Sequence, residues 1–511
     1  MENVNIEQLD SSLFTFAQDE VKLSDTKMNT KRIGYLKDAL IRFARNKASI
    51  VAAVIISILF LYAIFGPLIG RTNYTEIRDD VTIQKYAKLL PKLPGANGFW
   101  DGCEDVDVSF LTYQRYYAYG YELNRPVVTK VNSQYVNSGV TYVNVHRDSY
   151  ALLGIISMTL TSEEYASIQK FQDEHEVQII YPMTDATYFN KYKNAKGGKY
   201  RLLLDNKNIW YECDENGKPE LKDGKYVDIY RKNAYDEYTS KMRIHGDDGT
   251  FSYAKAAGVS DWEVRISLYD YFQYKYGYQP YFIFGSDGSG YDIFTRLASG
   301  ARLSFILAIS VALINFIIGA IWGAISGYYG GLVDLIMERV SDILGGLPMT
   351  VITALFQLHL AQKVGAFPSL LFAFVLTGWL GTAGLLRMQF YRYKNQEYVL
   401  AARTLGASDV RLMFKHIFPN ALGTIITSSV LVIPSVIFSE SSLTYLGIVN
   451  LESDAMTSVG TMLANGRIYL KTFPHIILFP SLFISLLMIT FNLFGNGLRD
   501  AFNPSLRGAE E

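Results

Sequence analysis

The segment QEYVLAARTLGASD, residues 396–409, is a polar island between two long apolar runs, and it continues to HIFPN at residues 416–420. Four small or apolar side chains recur in it at helical spacing: Tyr398, Ala401, Ala402 and Leu405. These side chains would share one face of a short helix, and the two alanines would let another backbone come close. Gly406 permits the turn that ends the helix, and Pro419 stops the segment before the next apolar run.

This segment resembles the cytoplasmic "EAA" loop of binding-protein-dependent ABC importer permeases. That family repeats an alanine pair, a glycine about one helical turn later and a proline further on. The matching residues here are Ala401, Ala402, Gly406 and Pro419. Leu400 stands where the family usually has Glu, and His416 where it usually has Ile. The extended pattern EYVxAARxLGAS…HIxPN resembles more closely the C-type permease of dipeptide and oligopeptide importers.

Three other segments resemble the same family. FGSDGSGYDIFTR at 284–296 is similar to the family's FGTDxxGRDxxSR, although Tyr291 replaces its Arg. ESSLTYLG at 440–447 is similar to ExSLxxLG, and NLFGNGLRD at 492–500 is similar to NLxGDGLRD. The resemblance implies the type I permease fold of ABC importers, a polytopic α-helical membrane protein.

Apolar runs long enough to cross a bilayer predict about six transmembrane helices. They cover about 48–69, 300–327, 343–360, 368–386, 421–438 and 475–494. Basic residues just before the first run and within the 387–415 loop indicate the cytoplasmic side, so both termini would be cytoplasmic. The formal net charge of −1 argues against a nucleic-acid partner.

These features divide the chain into four parts. Residues 1–47 would be a cytoplasmic tail and an amphipathic helix, and 48–70 the first transmembrane helix. Residues 71–280 would form an inserted extracellular α+β domain where the family usually has a far shorter loop. Residues 281–511 would be the core permease domain with five transmembrane helices and the coupling loop at about 390–420. We expect a cell-membrane, multi-pass bacterial protein.

Within the inserted domain, local patterns predict several elements. A strand is expected over 150–160, a capping box at Thr161 and Glu164, a helix over 162–175 and a strand over 177–181. Asn-Gly at 216–217 and Asp-Gly at 223–224 indicate hairpin turns. The abundant tyrosines suit a contact surface for a solute-binding protein or a partner permease, although a passive decoration fits as well.

The two cysteines of the chain, Cys103 and Cys213, both lie in the inserted domain. They would be able to pair in an oxidising exterior, and two unpaired thiols fit equally well. Cysteine spacing indicates no metal site, and His146, His175 and His245 are scattered without metal-ligand spacing. No catalytic constellation is recognisable there.

Polar residues in or beside the predicted spans are candidates for the pathway or a gate. They are Asn315, Gln357, His359, Glu440 and Asn492. For Glu440, local pairing near the outer interface is the simpler interpretation. Gly319, Gly323 and Gly327 form a small-residue face suited to close helix packing.

The sequence contains no GxxxxGK[ST] phosphate loop, so ATP hydrolysis would reside on other chains. The resemblance implies half of a translocation pathway for di- or oligopeptides, with no cofactor in this chain. Implied partners are a B-type permease, two ABC ATPase subunits carrying ATP and Mg, an extracellular solute-binding lipoprotein and membrane lipid. The implied ATPase-coupling residues are Glu397, Tyr398, Ala401, Ala402, Arg403, Leu405 and Gly406.

Three alternatives remain open at this point. A related solute, such as a nickel chelate or an opine, would use the same kind of permease. A membrane receptor or sensor would need a cytoplasmic signalling domain, and no predicted segment is long enough for one. An extracellular enzyme would need a convergent set of catalytic residues in 71–280.

Overall fold

The computed structural model describes residues 35–69, 82–110, 112–113, 116, 120, 123–183, 252–452 and 457–502, together with four short strands between 200 and 226. The transmembrane helices lie at the two ends of the chain, and the inserted domain lies between the first and second of them.

The chain enters the bundle through two helices that meet at Asn46. They are α1 (Tyr35–Arg45) and α2 (Lys47–Ile69). The Asn46 side chain accepts hydrogen bonds from the backbone N–H groups of Ala48 and Ser49 at 3.1 and 3.3 Å, so it caps α2. The Phe43 ring packs edge-on against Phe494, at 5.2 Å between centroids. A helix thus lies where the sequence predicts an amphipathic one, and it rests on the last helix of the bundle.

The part of the chain that follows the inserted domain contains eleven helices among the described residues. They are α5 (Ile293–Tyr329), α6 (Gly331–Gly345), α7 (Met349–His359), α8 (Ala361–Val364), α9 (Ala366–Gly378), α10 (Leu380–Tyr393), α11 (Glu397–Thr404), α12 (Asp409–Arg411), α13 (Phe418–Tyr445), α14 (Val459–Gly466) and α15 (His475–Phe502). A π-helical segment, Leu412–Ile417, joins α12 to α13.

Five helical stretches in the described part of the chain are long and apolar enough to span a membrane. They are Lys47–Ile69, Ile293–Tyr329, Ala366–Tyr393, Asp409–Tyr445 and His475–Phe502. The third span predicted over about 343–360 is not one straight helix, and it adds a sixth span only if a bent pair of helices crosses the membrane as one unit. The chain there forms α6 and α7, which are bent by 72° at the break between them. Pro348 lies in this break and cannot donate the backbone hydrogen bond that a continuous helix requires.

The small-residue face of α5 packs against α10, as predicted. An added Cβ at Gly319 would lie 2.8 Å from the Trp379 carbonyl oxygen, and one at Gly323 would lie 2.3 Å from the Ala383 carbonyl oxygen. At Gly327 the corresponding distance to the Arg387 carbonyl oxygen is 2.7 Å. Because no side chain fits in these contacts, glycine allows the two helix backbones to approach.

The inserted domain contains two helices and eleven strands among the described residues. The strands are β1 (Cys103–Ser109), β2 (Val128–Asn137), β3 (Val140–Asp148), β4 (Ile155–Thr161), β5 (Ile180–Tyr181), β6 (Tyr200–Leu202), β7 (Trp210–Glu212), β8 (Leu221–Lys222), β9 (Lys225–Tyr226), β10 (Ala254–Ala256) and β11 (Asp261–Ser267). The helices are α3 (Ser162–His175) and α4 (Leu268–Tyr276).

Two antiparallel sheets organise this domain. The first has the order β1-β3-β2, and the second has the order β10-β11-β4, with β5 also paired to β11. Strands β8 and β9 pair across Asp-Gly 223–224, so the hairpin predicted there is confirmed, while the predicted turn at 216–217 lies outside the described residues.

The predicted capping box is present: Thr161 Oγ1 accepts from the N–H of Glu164 at 3.2 Å, and the Glu164 carboxylate accepts from the N–H of Thr161 at 3.0 Å. Helix α3 begins and ends where the sequence predicts. The strand predicted from residue 150 is wrong in its first half, because Ala151–Leu153 forms a 3₁₀ turn and Gly154 has a φ of 72°. The predicted strand over 177–181 is reduced to β5.

The segment before β1 ties the inserted domain to the bundle. The Ser286 hydroxyl donates to the Tyr86 carbonyl oxygen at 2.6 Å and accepts from the N–H of Leu89 at 2.7 Å. Tyr86 and Phe272 are buried in one aromatic cluster between the domain and this segment. The domain therefore rests directly on the residues that lead into α5.

Candidate functional site

The helix α11, in the loop between α10 and α12, ends in the turn that the sequence predicts. Gly406 has a φ of 83°, in the left-handed region that favours glycine, and its N–H donates to the Arg403 carbonyl oxygen at 2.9 Å. The N–H of Ala407 then reaches back to the Ala402 carbonyl oxygen at 3.1 Å. This turn redirects the chain from α11 into α12.

One side of α11 is anchored in the bundle. Val399 is fully buried. It belongs to a cluster with Phe390, Leu412 and Ile417, and the side chain of Ala402 packs partly against the same cluster. Of the four residues predicted to share one face, Ala402 is therefore half-buried, while Tyr398, Ala401 and Leu405 are exposed. Whether the four share one contact face stays a prediction.

The other side of α11 is exposed and largely apolar. Leu405 is 87% exposed, and Ala401, Tyr398 and Leu400 are also exposed. Val410 and Phe414, which follow the turn in the chain, are exposed apolar side chains as well. We call these six residues the loop face. An exposed apolar surface of this kind, held on a short rigid helix, is suited to binding another protein.

The loop is joined to the end of α5 by polar contacts. The Tyr328 hydroxyl donates to Asp409 Oδ1 at 2.5 Å, and Arg403 donates to the Tyr328 hydroxyl at 3.4 Å. The Lys394 ammonium donates to the carbonyl oxygens of Gly327 and Tyr328 at 3.0 and 3.3 Å. Because α5 runs the length of the bundle, a displacement of the loop would act directly on a membrane-spanning helix. Of the side chains in these contacts, the sequence analysis assigned a coupling role only to Arg403.

A charged cluster joins α5, α6 and α10 at the same end of the bundle. Arg387 donates two hydrogen bonds to the Asp334 carboxylate at 2.6 and 2.7 Å. Tyr391 donates to the same carboxylate at 2.5 Å, and Ser326 also hydrogen-bonds to it. This bidentate geometry is the strong form of an ion pair. It fixes the start of α6 against the helix that leads into the loop.

The predicted pathway residues do not form one cluster. Asn315 and Glu440 are buried, Gln357 is half-buried, and His359 and Asn492 are exposed. Gln357 donates to the Ala366 carbonyl oxygen at 3.0 Å, and Asn492 donates to the Met488 carbonyl oxygen at 2.9 Å. No contact described for these residues joins any two of the five.

Glu440 pairs locally, as the simpler interpretation held. Its carboxylate accepts from the hydroxyls of Ser304, Thr444 and Ser441 at 3.0, 3.3 and 3.4 Å. Its neighbour across the helix contact is Gly460, where an added Cβ would lie 2.6 Å from the Ser441 Cα. The carboxylate thus fixes α5 and α14 against α13.

A buried arginine lies at the end of the bundle that faces the inserted domain. Arg296 forms ion pairs with Asp287 and Glu452, and Glu452 accepts from the Asn465 side chain at 2.8 Å. A cavity of about 410 Å³ opens beside this network. Arg296 belongs to the segment that resembles the family, but the sequence did not indicate its partners.

Cys103 carries a free thiol, and Cys213 lies outside the described residues, so their disulfide stays a prediction. Burial raises the pKa of the Cys103 thiol to about 12, and the carboxylates of Asp148 and Asp101 add to this effect. Lys92 partly opposes it. Without a cation beside it, a thiol in this environment stays protonated at neutral pH and reacts slowly.

Comparisons with known proteins agree with the bundle and its loop. The profile of the family described as binding-protein-dependent transport system inner membrane component matches residues 317–508. The profile described as N-terminal TM domain of oligopeptide transport permease C matches residues 34–91.

Two curated relatives come from Bacillus subtilis (strain 168). The chain is 43% identical over 224 residues to its oligopeptide transport system permease protein OppC, an alignment that covers 44% of this chain and 72% of the relative. It is 40% identical over 226 residues to the dipeptide transport system permease protein DppC, covering 44% and 69%. One solved structure that aligns with this chain is that of an amino acid ABC transporter with histidines. The alignment covers 41% of this chain and 92% of the transporter chain, with 13% sequence identity and a TM-score of 0.32.

The helical bundle and the loop that leaves it thus define a polytopic permease of a binding-protein-dependent ABC transport system. More narrowly, this chain belongs to the C-type permease subunits of the dipeptide and oligopeptide ABC importer family. It is a multi-pass membrane protein with the type I permease fold. Neither family profile extends over residues 92–316, the part that contains the sheets of the inserted domain.

Proposed function

We propose that this permease subunit forms half of the translocation pathway for di- or oligopeptides. Its relatives are named for the transport of oligopeptides and dipeptides, which favours peptides over a nickel chelate or an opine. The single observation that carries the coupling role is the loop face, an exposed apolar surface on a helix that is itself anchored in the bundle.

In this proposal the loop face binds a separate ATPase subunit, which carries ATP and Mg. Closure of two ATPase subunits pushes α11, and the polar contacts at Tyr328 and Lys394 transmit the displacement to α5. A helix that is rigidly held on one side and exposed on the other is suited to this task. The remaining partners are a B-type permease and a solute-binding lipoprotein that delivers the peptide.

The proposal also fixes a topology. The loop and both termini lie in the cytoplasm, and the inserted domain lies outside, where it is available to the solute-binding protein. The basic residues beside the first helix and in the loop support this orientation. Asn315, Gln357, His359, Glu440 and Asn492 remain candidate pathway or gate residues.

Purification and reconstitution test the substrate. The tagged chain is co-expressed with its partner subunits, and the bound solute-binding protein and its ligand are identified by mass spectrometry. The complex is then reconstituted in proteoliposomes. We expect uptake of a labelled oligopeptide that depends on ATP and on the solute-binding protein. A co-purified protein that carries a nickel chelate or an opine, with no peptide uptake, would overturn the peptide assignment and leave the permease assignment intact.

A further inference from the structure

Metal-ligand side chains converge on one face of the sheet β1-β3-β2 in the inserted domain. In the antiparallel pair of β1 and β3, Cys103 lies opposite Asp148 and Asp105 lies opposite His146. Residues two apart on a strand, and those opposite them, point to the same face. Asp101, just before β1, completes the group. Three possible ligand atoms lie within 4.8 Å of one another: a carboxylate oxygen of Asp101, the sulfur of Cys103 and a ring nitrogen of His146.

Hydrogen bonds hold the side chains of Asp101, Asp105 and His146 against one another. Asp101 Oδ1 accepts from the N–H of Cys103 at 2.7 Å, which leaves Oδ2 directed at His146. His146 Nδ1 lies 2.8 Å from Asp105 Oδ1, and Nε2 lies 3.2 Å from Asp101 Oδ2. The Asn132 amide donates to the same Asp105 oxygen at 2.9 Å and holds it in place.

This arrangement has a chemical consequence for His146. When its proton is on Nδ1 and donated to Asp105, Nε2 is a lone-pair acceptor that faces another acceptor, Asp101 Oδ2. Two acceptors in contact require a cation or a second proton between them. Nitrogen and oxygen ligands on one tetrahedral zinc ion, each about 2.0–2.1 Å from it, are themselves about 3.3 Å apart. The observed 3.2 Å separation of Nε2 and Oδ2 matches that spacing.

We propose that Asp101, Cys103 and His146 bind one divalent transition-metal ion, which we assign as zinc. Asp105 would orient the histidine. A ring nitrogen and a thiolate exclude calcium and magnesium, which take oxygen ligands, and suit zinc. The carboxylate–histidine–metal arrangement is typical of metal sites. Three protein ligands leave a fourth position for water or for a ligand from another molecule.

The charges nearby are consistent with a cation. Asp101, Asp105 and Asp148 contribute three carboxylates, and Lys92 neutralises only Asp148, at 2.6 Å. A metal ion here would fix the residues before β1 to strand β3. The site does not depend on the transport proposal, because it lies in the part of the chain that neither family profile covers.

Cobalt binding tests the site directly. The full chain, stripped of metal and reconstituted in nanodiscs under reducing conditions, is titrated with Co²⁺ alone and then with Zn²⁺. We expect one equivalent of Co²⁺ with a thiolate-to-cobalt charge-transfer band that Zn²⁺ abolishes. Cys103→Ser should remove the band, and Asp105→Asn should weaken binding by about 10- to 100-fold. His175→Gln, which changes an exposed histidine stacked on Phe171 in the same domain, should bind as the unchanged chain does.

The outcomes separate the metal site from its competitors. No stoichiometric cobalt with a charge-transfer band in the unchanged chain would overturn the proposal. So would a band that survives in Cys103→Ser, or a Cys103–Cys213 disulfide found by mass spectrometry in the non-reduced protein. Circular dichroism of each variant checks folding. Where Cys103→Ser fails to fold, the spectrum of the unchanged chain and the affinity of Asp105→Asn decide the question.

Discussion

The hydroxyl of Tyr328 donates a 2.5 Å hydrogen bond to Asp409, although the two residues are 81 positions apart in the chain. Tyr328 lies in the last turn of α5, and Asp409 begins α12, just beyond the Gly406 turn. The bond therefore joins a membrane-spanning helix to the far side of the loop that carries α11. A hydrogen bond to a charged group contributes about 1.5–3 kcal/mol to stability, so it holds the loop and α5 together.

Tyr328→Phe should uncouple transport without dissociating the complex. The substitution removes the hydroxyl and keeps the ring, so the loop face is unchanged but its link to α5 is lost. We expect ATPase subunits to co-purify normally and peptide uptake per ATP hydrolysed to fall about tenfold, the equivalent of about 1.4 kcal/mol. Tyr329→Phe, a matched change at the exposed neighbour, should leave coupling unaffected. Normal coupling in Tyr328→Phe would mean that the hydrogen bond between Tyr328 and Asp409 does not transmit the motion of the loop to α5.

Ala401→Asp should weaken binding of the ATPase subunits. Ala401 is exposed on the loop face, so an aspartate there is tolerated by the isolated chain but leaves an unpaired charge in the proposed interface. We expect at least about a tenfold loss of retained ATPase, because each 1.4 kcal/mol changes the association constant tenfold. Asn395→Asp, an exposed position outside the loop face, serves as the control.

Ala402→Asp should lower the stability of the loop as well as the retention of the ATPase, whereas Ala401→Asp should lower only the retention. Because Ala402 packs partly against the buried cluster around Val399, the charge would also destabilise the loop itself. Equal retention of the ATPase in Ala401→Asp and the unchanged chain would mean that the loop face is not the docking surface.

Gly406→Val should distort the turn between α11 and α12. At a φ of 83° a β-branched side chain is strained, although no other atom within 4 Å obstructs an added Cβ. The defect is therefore purely one of backbone conformation, with a cost of about 1–2 kcal/mol. Gly406→Asn should retain most activity, because asparagine tolerates the left-handed region. Uptake assays on both variants check this, and equal loss in both would point to a steric requirement instead.

Asp334→Ala should destabilise the bundle end at α6. The change leaves Arg387 without its bidentate partner and removes the acceptor of Tyr391. We expect a loss of about 1.5–3 kcal/mol in unfolding free energy, softened because Glu338 lies 3.3 Å from Arg387. Asp342→Ala on the same helix breaks only an exposed pair with Arg339 and should cost less than about 0.5 kcal/mol. Thermal unfolding in detergent compares the two variants.

Cysteine labelling in intact cells tests the topology. In a background with Cys103 and Cys213 replaced by serine, Val259→Cys should react with a membrane-impermeant reagent, and Asn395→Cys should react only after permeabilisation. Both positions are exposed, so access to the reagent depends on the side of the membrane. Labelling of Asn395→Cys in intact cells would reverse or abolish the proposed arrangement.

Much of the fold follows from the sequence because the signals are local. The apolar runs at 48–69 and 475–494 are long enough to span a bilayer whatever they pack against. The capping box of Thr161 and Glu164 uses residues one turn apart, and the Gly406 turn depends on one residue's backbone freedom. Neighbours along the chain determine these features, so a pattern in the sequence is enough to predict them.

The tertiary structure decided the features that depend on distant residues. Strand register places His146 beside Asp101 and Cys103, 45 and 43 positions earlier in the chain, so their spacing along the chain shows no metal-ligand pattern. Helix packing likewise leaves Ala402 half-buried against the cluster around Val399, whereas Ala401, one position earlier, is exposed. The physical reason is that sequence patterns report the preferences of one helix or strand. Which face becomes buried, and which ligands meet, is set by the contacts between elements, and those appear only when the chain folds.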